Sequence, residues 1–238
     1  MNFRIKVVDV VILVCALAGG WPLRAAEHLG ALRLENRVNW KVNGRWSLGG
    51  NLQARLRDSL REVYYRQLDS GASVKLTNWL QLPVNFRLED RLRDDGWVWT
   101  SYLLFDPTFK LPVQGHWRFD VRTRLQYVLN DNVLQYLRIQ PRAWYSFTWE
   151  KKPLGWWVYN DFYIRIADWD QRTNYRSNNF CTGVNCVLNG KADINLYYLL
   201  FSAKATPEAA LRHVHQACVS LGFAIGGRRP GVPPQSTN

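Results

Sequence analysis

Apolar and polar residues take turns along most of this chain. Leu80, Leu82, Val84, Phe86 and Leu88 fall on one side, Gln81, Asn85, Arg87, Glu89 and Arg91 on the other, and Pro83 interrupts. After the Gln114–Gly115 turn, Trp117, Phe119, Val121, Leu125 and Tyr127 alternate with Arg118, Asp120, Arg122, Arg124 and Gln126. The next run sets Leu137, Ile139, Ala143, Tyr145 and Phe147 against Arg138, Gln140, Arg142 and Ser146. A helix would scatter these residues around its circumference, whereas a strand sorts them onto two faces. Asn43–Gly44, Thr77–Asn78, Asp94–Asp95–Gly96, Asn130–Asp131–Asn132, Lys151–Gly155 and Asn189–Gly190 are turn sequences between the runs. The pattern predicts strands near 31–42, 45–57, 62–76, 79–92, 97–111, 116–127, 133–149, 156–166, 175–188, 191–203 and 213–225. Strands joined by tight turns pair antiparallel, which makes an all-β, up-and-down barrel the expected fold.

Strand length separates two versions of that barrel. Soluble strands cluster near ~5–6 residues, and a tilted strand that crosses a bilayer needs ~9–11. Most runs here hold ten or more. A soluble lipocalin-like barrel would keep the apolar face inside, around an apolar ligand. A transmembrane barrel reverses the faces. Trp46, Trp79, Trp97, Trp117, Trp156 and Trp157 stand at strand beginnings, and Trp149 and Trp169 at strand ends. Rings at both termini match the girdles that indole forms at headgroup level. The expectation is a single transmembrane β-barrel. Bacterial barrels usually have even strand numbers, so about ten strands are expected, with 31–42 outside, or twelve if one run divides.

Composition adds an address. The 238 residues carry 31 Lys and Arg against 19 Asp and Glu, and 33 aromatic rings (Trp 12, Tyr 11, Phe 10). Arg4 and Lys6 precede the run Val7–Leu17, which is apolar apart from Asp9, and the small residues Ala25 and Ala26 precede Glu27. That is the layout of a secretory signal peptide cut near Ala25 or Ala26. The expected organisation is a signal peptide over 1–25, a barrel over 26–225 and a polar, disordered tail over 226–238. Cys181 and Cys186 lie five apart, so one continuous strand would turn them to opposite sides. No spacing suggests zinc or a cofactor.

The arginines recur at every second strand position rather than in a patch, which with export excludes a nucleic-acid partner. Inside a barrel, Arg87, Arg91, Arg118, Arg122, Arg124, Arg138, Arg142 and Arg165 would line the lumen. Glu89, Asp120 and Asp161 are the acids placed to pair with them, so a surplus of positive charge is expected. The 116–142 hairpin would stack five guanidiniums with only Asp120 among them. Two readings stay open: an ion-paired structural interior, or a narrow pore or binding site that attracts small anions. An outer-membrane lipid hydrolase would need a Ser and a His on neighbouring strands. His116, His213 and His215 meet no such partner in the predicted registers, so no catalytic residue is assigned and no enzyme is expected.

Between Val121 and Leu200 the order Arg122–Thr–Arg124–Leu–Gln–Tyr127, Tyr159–Asn–Asp161–Phe–Tyr163, Asn178–Asn–Phe–Cys–Thr–Gly–Val184 and Leu196–Tyr–Tyr198 resembles domain-of-unknown-function family 2490. Asn179 and Cys181 depart from the usual pattern. So does the polar stretch that follows Phe223 and Ile225, where such barrels usually finish on an aromatic residue. The resemblance implies the outer membrane of a Gram-negative-type bacterium, with membrane lipid and the barrel-assembly machinery as partners, and carries no established activity.

Overall fold

The computed structural model describes residues 30–57, 61–149, 152–166, 175–189, 191–204 and 211–226. The predicted signal peptide and nearly all of the predicted tail lie outside these residues, as do His28 and Trp169. Every regular element among the described residues is a strand. They are β1 (Gly30–Lys41), β2 (Trp46–Arg57), β3 (Glu62–Lys75), β4 (Leu80–Arg93), β5 (Gly96–Phe105) and β6 (Thr108–Lys110). The second half adds β7 (Trp117–Val128), β8 (Val133–Trp149), β9 (Lys152–Arg165), β10 (Tyr175–Asn189), β11 (Ala192–Lys204) and β12 (Leu211–Ile225).

These strands close into one barrel of eleven staves. The predicted 97–111 strand is broken where Asp106–Pro107 separates β5 from β6. Pro107 has no N–H for the ladder, and β5 and β6 succeed one another between β4 and β7. The run near 31–42, expected outside the barrel, is a stave. β1 pairs antiparallel with β2, and parallel with β12 from Gly30↔His215 to Trp40↔Ile225. The count is therefore eleven rather than ten or twelve, and the sheet is mixed rather than wholly antiparallel. An even number is required only when the first and last strands meet antiparallel, and here they run the same way.

Two ends can be distinguished. The connections 41–46, 75–80, 110–117, 149–152 and 189–192 lie at a turn end, and 57–62, 93–96, 128–133, 165–175 and 204–211 at a loop end. Side chains alternate through the wall as the periodicity predicts. The apolar set faces outward: Leu52, Leu103 and Phe86 are 56%, 45% and 40% exposed. The polar set faces inward, where Gln53, Gln67, Glu89, Asp120, Gln140 and Asp161 are buried. This is the reverse of what a lipocalin-like barrel around an apolar ligand requires. Trp40, Trp46, Trp79, Trp117, Trp149 and Trp156 ring the outside at the turn end, and Trp97 and Trp99 stand outside at the loop end. Trp157, expected in the girdle, points inward, because adjacent residues on a strand must face opposite sides.

Candidate functional site

The barrel encloses a cavity of about 580 Å³. Five of the eight predicted arginines line it: Arg87 from β4, Arg122 and Arg124 from β7, and Arg138 and Arg142 from β8. Arg33 and Arg37 of β1 and Lys110 at the end of β6 line it too. The lining carboxylates are Glu35 and Asp69. The other three do not line this cavity. Arg91 pairs with Glu89 nearer the loop end, Arg118 stands 4.3 Å from the Trp144 ring, and Arg165 ends β9. The cavity is a basin that spans the middle of the barrel, from Arg33, Gln67, Arg124 and Arg138 to Asn39, Gly49, Gln81 and Lys110 near the turn end.

The expected stack of five guanidiniums around Asp120 is not what forms. Asp106, at the β5–β6 break and fully buried, accepts from Arg124 Nε and Nη2 at 2.5 and 2.7 Å and also from Arg122. Asp161 takes Arg138 at 2.7 Å, and Asp120 takes Arg142. Asp69 takes Arg87 through two bonds, at 2.7 and 3.0 Å, and Glu35 takes Arg33. Glu35, Asp69 and Asp106 were missed as counter-charges. Strand parity could have found the last two, since Leu68 on β3 and Phe105 on β5 face outward and their neighbours must face inward. With these acids counted, eight lining cations meet Glu35, Asp69, Asp106, Asp120 and Asp161. The basin keeps an excess of three positive charges.

Where the excess sits follows from register. Thr108↔Arg122 and Lys110↔Asp120 pair β6 with β7, and Arg122↔Gln140 and Asp120↔Arg142 pair β7 with β8. Asp120 is thus the one carboxylate beside both Lys110 and Arg142, and Lys110 Nζ donates to the neutral Gln81 Oε1 at 2.8 Å. Arg122 Nε and Gln140 Oε1 are buried without a hydrogen-bond partner among the described residues. Arg142 is also register-paired with Tyr159 of β9. From there an aromatic wall continues: Tyr159 and Trp157 stack with centroids 5.4 Å apart, and Trp157 meets Tyr197 of β11 at 5.3 Å. Those two rings meet across β10 because Gly183 stands between them. A Cβ on Gly183 would lie 2.3 Å from the Tyr197 Cβ and 2.6 Å from the Leu196 carbonyl oxygen.

Toward the loop end, side chains meet across the interior. The Tyr65 hydroxyl lies 2.7 Å from Glu89 Oε2 and from Gln67 Oε1, Arg91 Nε donates to Glu89 at 2.6 Å, and Arg55 covers the Tyr65 ring. Tyr102, Leu104 and Val128 form an apolar cluster, and Cys181, Leu199 and Cys218 form another under Trp157, Tyr159, Tyr197 and Phe201. Cys181, Cys186 and Cys218 are free. Among the described residues no three His, Cys, Asp or Glu side chains are grouped to hold a metal ion. One pairing was missed: Ser202 Oγ lies 2.9 Å from His213 Nδ1 on the outward face, in direct cross-strand register.

The chain belongs to the family described as protein of unknown function DUF2490, whose model matches residues 34–209. No curated protein matches it.

Proposed function

We propose that this DUF2490 member is an outer-membrane β-barrel whose basin binds an anionic solute or the anionic group of a larger one. The membrane part rests on strands of 12 to 17 residues in all staves but the divided one, an exposed apolar outer face and tryptophans outside both ends. An N-terminal segment with the layout of an export signal agrees with it. Outer-membrane barrels keep their short turns on the periplasmic side, so the Lys110 end of the basin lies toward the periplasm. The basin part rests on one observation: eight cationic side chains and two carboxylates line a 580 Å³ space. Low-dielectric walls concentrate that charge, which attracts an anion more strongly than the same residues would in water. The side chains that meet across the lumen toward the loop end, Tyr65 with Glu89 and Arg91 with Glu89, favour a binding site over a through-pore.

Titration of the purified barrel with inorganic phosphate by calorimetry tests this reading. Saturable binding is expected, weakened at least tenfold by Arg122→Glu and by Arg138→Glu, with no single-channel activity in a planar bilayer. If phosphate releases no heat and leaves the melting temperature unchanged, the interior is structural packing.

A further inference from the structure

We infer that the ligand of the basin is a sugar-like ring compound carrying a phosphate or carboxylate. Its anionic group lies among Lys110, Arg122 and Arg142, and its ring lies against Trp157. The inference rests on the basin being an anion site and adds what kind of anion it takes.

Size argues first. A cavity of about 580 Å³ lies within the ~300–1,000 Å³ range of pockets that enclose small organic ligands, and is several times larger than a bare tetrahedral anion needs. Continuity argues second. The cationic corner does not end in further polar residues. Arg142 is register-paired with Tyr159, and Tyr159 stacks on Trp157, so charge passes directly into aromatic surface along β8 and β9. Ring access argues third. Tyr159 covers one side of Trp157, and the next inward position of β9 on the other side is Gly155. A Cβ built there meets nothing closer than Asn185 Cβ and the Tyr145 carbonyl oxygen, both at 3.9 Å. No side chain of β9 therefore stands on that side of the indole. A polar group is present as well: Gln140 lines the same cavity, and its buried Oε1 has no hydrogen-bond partner among the described residues, so it can accept from a ring hydroxyl. A purely apolar ring would leave that oxygen unpaired, at a desolvation cost. A hydroxylated ring satisfies it while its C–H face covers the indole.

Calorimetry on the whole barrel in detergent tests the inference with four probes: glucose 6-phosphate, glucuronate, inorganic phosphate and glucose. Glucose 6-phosphate should bind at least tenfold more tightly than inorganic phosphate, glucuronate should bind, and glucose should bind far more weakly than either sugar anion. Gly155→Leu fills the space beside the indole, and in that variant the ratio of sugar-phosphate to phosphate affinity should fall to near one. Trp157→Leu should do the same. Equal affinity for phosphate and glucose 6-phosphate in the wild type overturns the ring assignment and leaves the anion basin standing. Binding of neither overturns both.

Discussion

Replacing Asp106 by asparagine should weaken the fold and strengthen the basin at once. Asp106 is 0% exposed and serves two guanidiniums, Arg124 at 7% side-chain exposure and Arg122 at 23%. Asparagine keeps the shape and one neutral acceptor but removes the charge. Removing one partner of a buried pair costs about 3–5 kcal/mol, because the remaining ion stays desolvated and uncompensated. We assign that figure mainly to Arg124, since Arg122 reaches the basin and can be hydrated there. The same substitution raises the charge of the basin by one unit. For an anion about 8 Å away the added attraction is roughly 0.5–2 kcal/mol at effective dielectrics between water and protein surface. Phosphate should therefore bind several-fold more tightly to Asp106→Asn. Urea unfolding of the detergent-solubilised barrel, followed by tryptophan fluorescence, reads the first effect, and calorimetry the second. In Asp106→Asn/Arg124→Met the stranded ion is gone, and at least about 2 kcal/mol should return. A loss below about 1 kcal/mol, the level of an exposed pair, would refute the buried-pair argument. Unchanged or weaker phosphate binding would refute the electrostatic one.

Gly183→Ala should destabilise by about 1–3 kcal/mol in the same unfolding assay, since its Cβ meets the Tyr197 Cβ and a backbone oxygen rather than a flexible tip; an unchanged midpoint would show that the β10–β11 contact is loose. Phe86→Arg, on the outward face of β4, should cost about 2–4 kcal/mol in lipid vesicles, and a cost near zero would place that face in water. Cell fractionation should find the mature protein in the outer membrane, with N-terminal sequencing giving a first residue of Ala26 or Glu27; a soluble periplasmic product with the same terminus would defeat the membrane reading.

The wall of the barrel was legible because one face of each strand is apolar and the other polar, and a two-residue period leaves no freedom about which residues share a face. Arg87, Arg122, Arg124, Arg138 and Arg142 were placed together on that basis alone. Partners across the lumen were harder. Asp69 lies on a strand whose inward face carries no arginine, and Asp106 lies at the break between β5 and β6, so neither stands beside an arginine in the alternation, and the same holds for Lys110. Barrel closure was not legible. The alternation in β1 is the same whether its neighbour is antiparallel β2 or parallel β12, and periodicity carries no information about strand direction. The division of β5 from β6 was signalled by Pro107, which should have weakened a continuous 97–111 strand. The aromatic wall was hidden because Trp156–Trp157 was read as one girdle feature, although alternation allows only one of two neighbours to face outward. The meeting of Trp157 and Tyr197 over Gly183 needed coordinates.

The account turns on the faces of the barrel wall, and adjacent residues of β4 test it most directly. Asn85 lines the basin and Phe86 faces outward. Single cysteines are placed at these two positions in a background where Cys181, Cys186 and Cys218 are alanine, and the barrel is folded into lipid vesicles. A bimane label at Phe86→Cys should be quenched by brominated acyl chains, and the unlabelled thiol should resist a charged aqueous maleimide. Asn85→Cys should react with that maleimide, more slowly when phosphate is present. Quenching at 85 and aqueous reactivity at 86 would contradict the account.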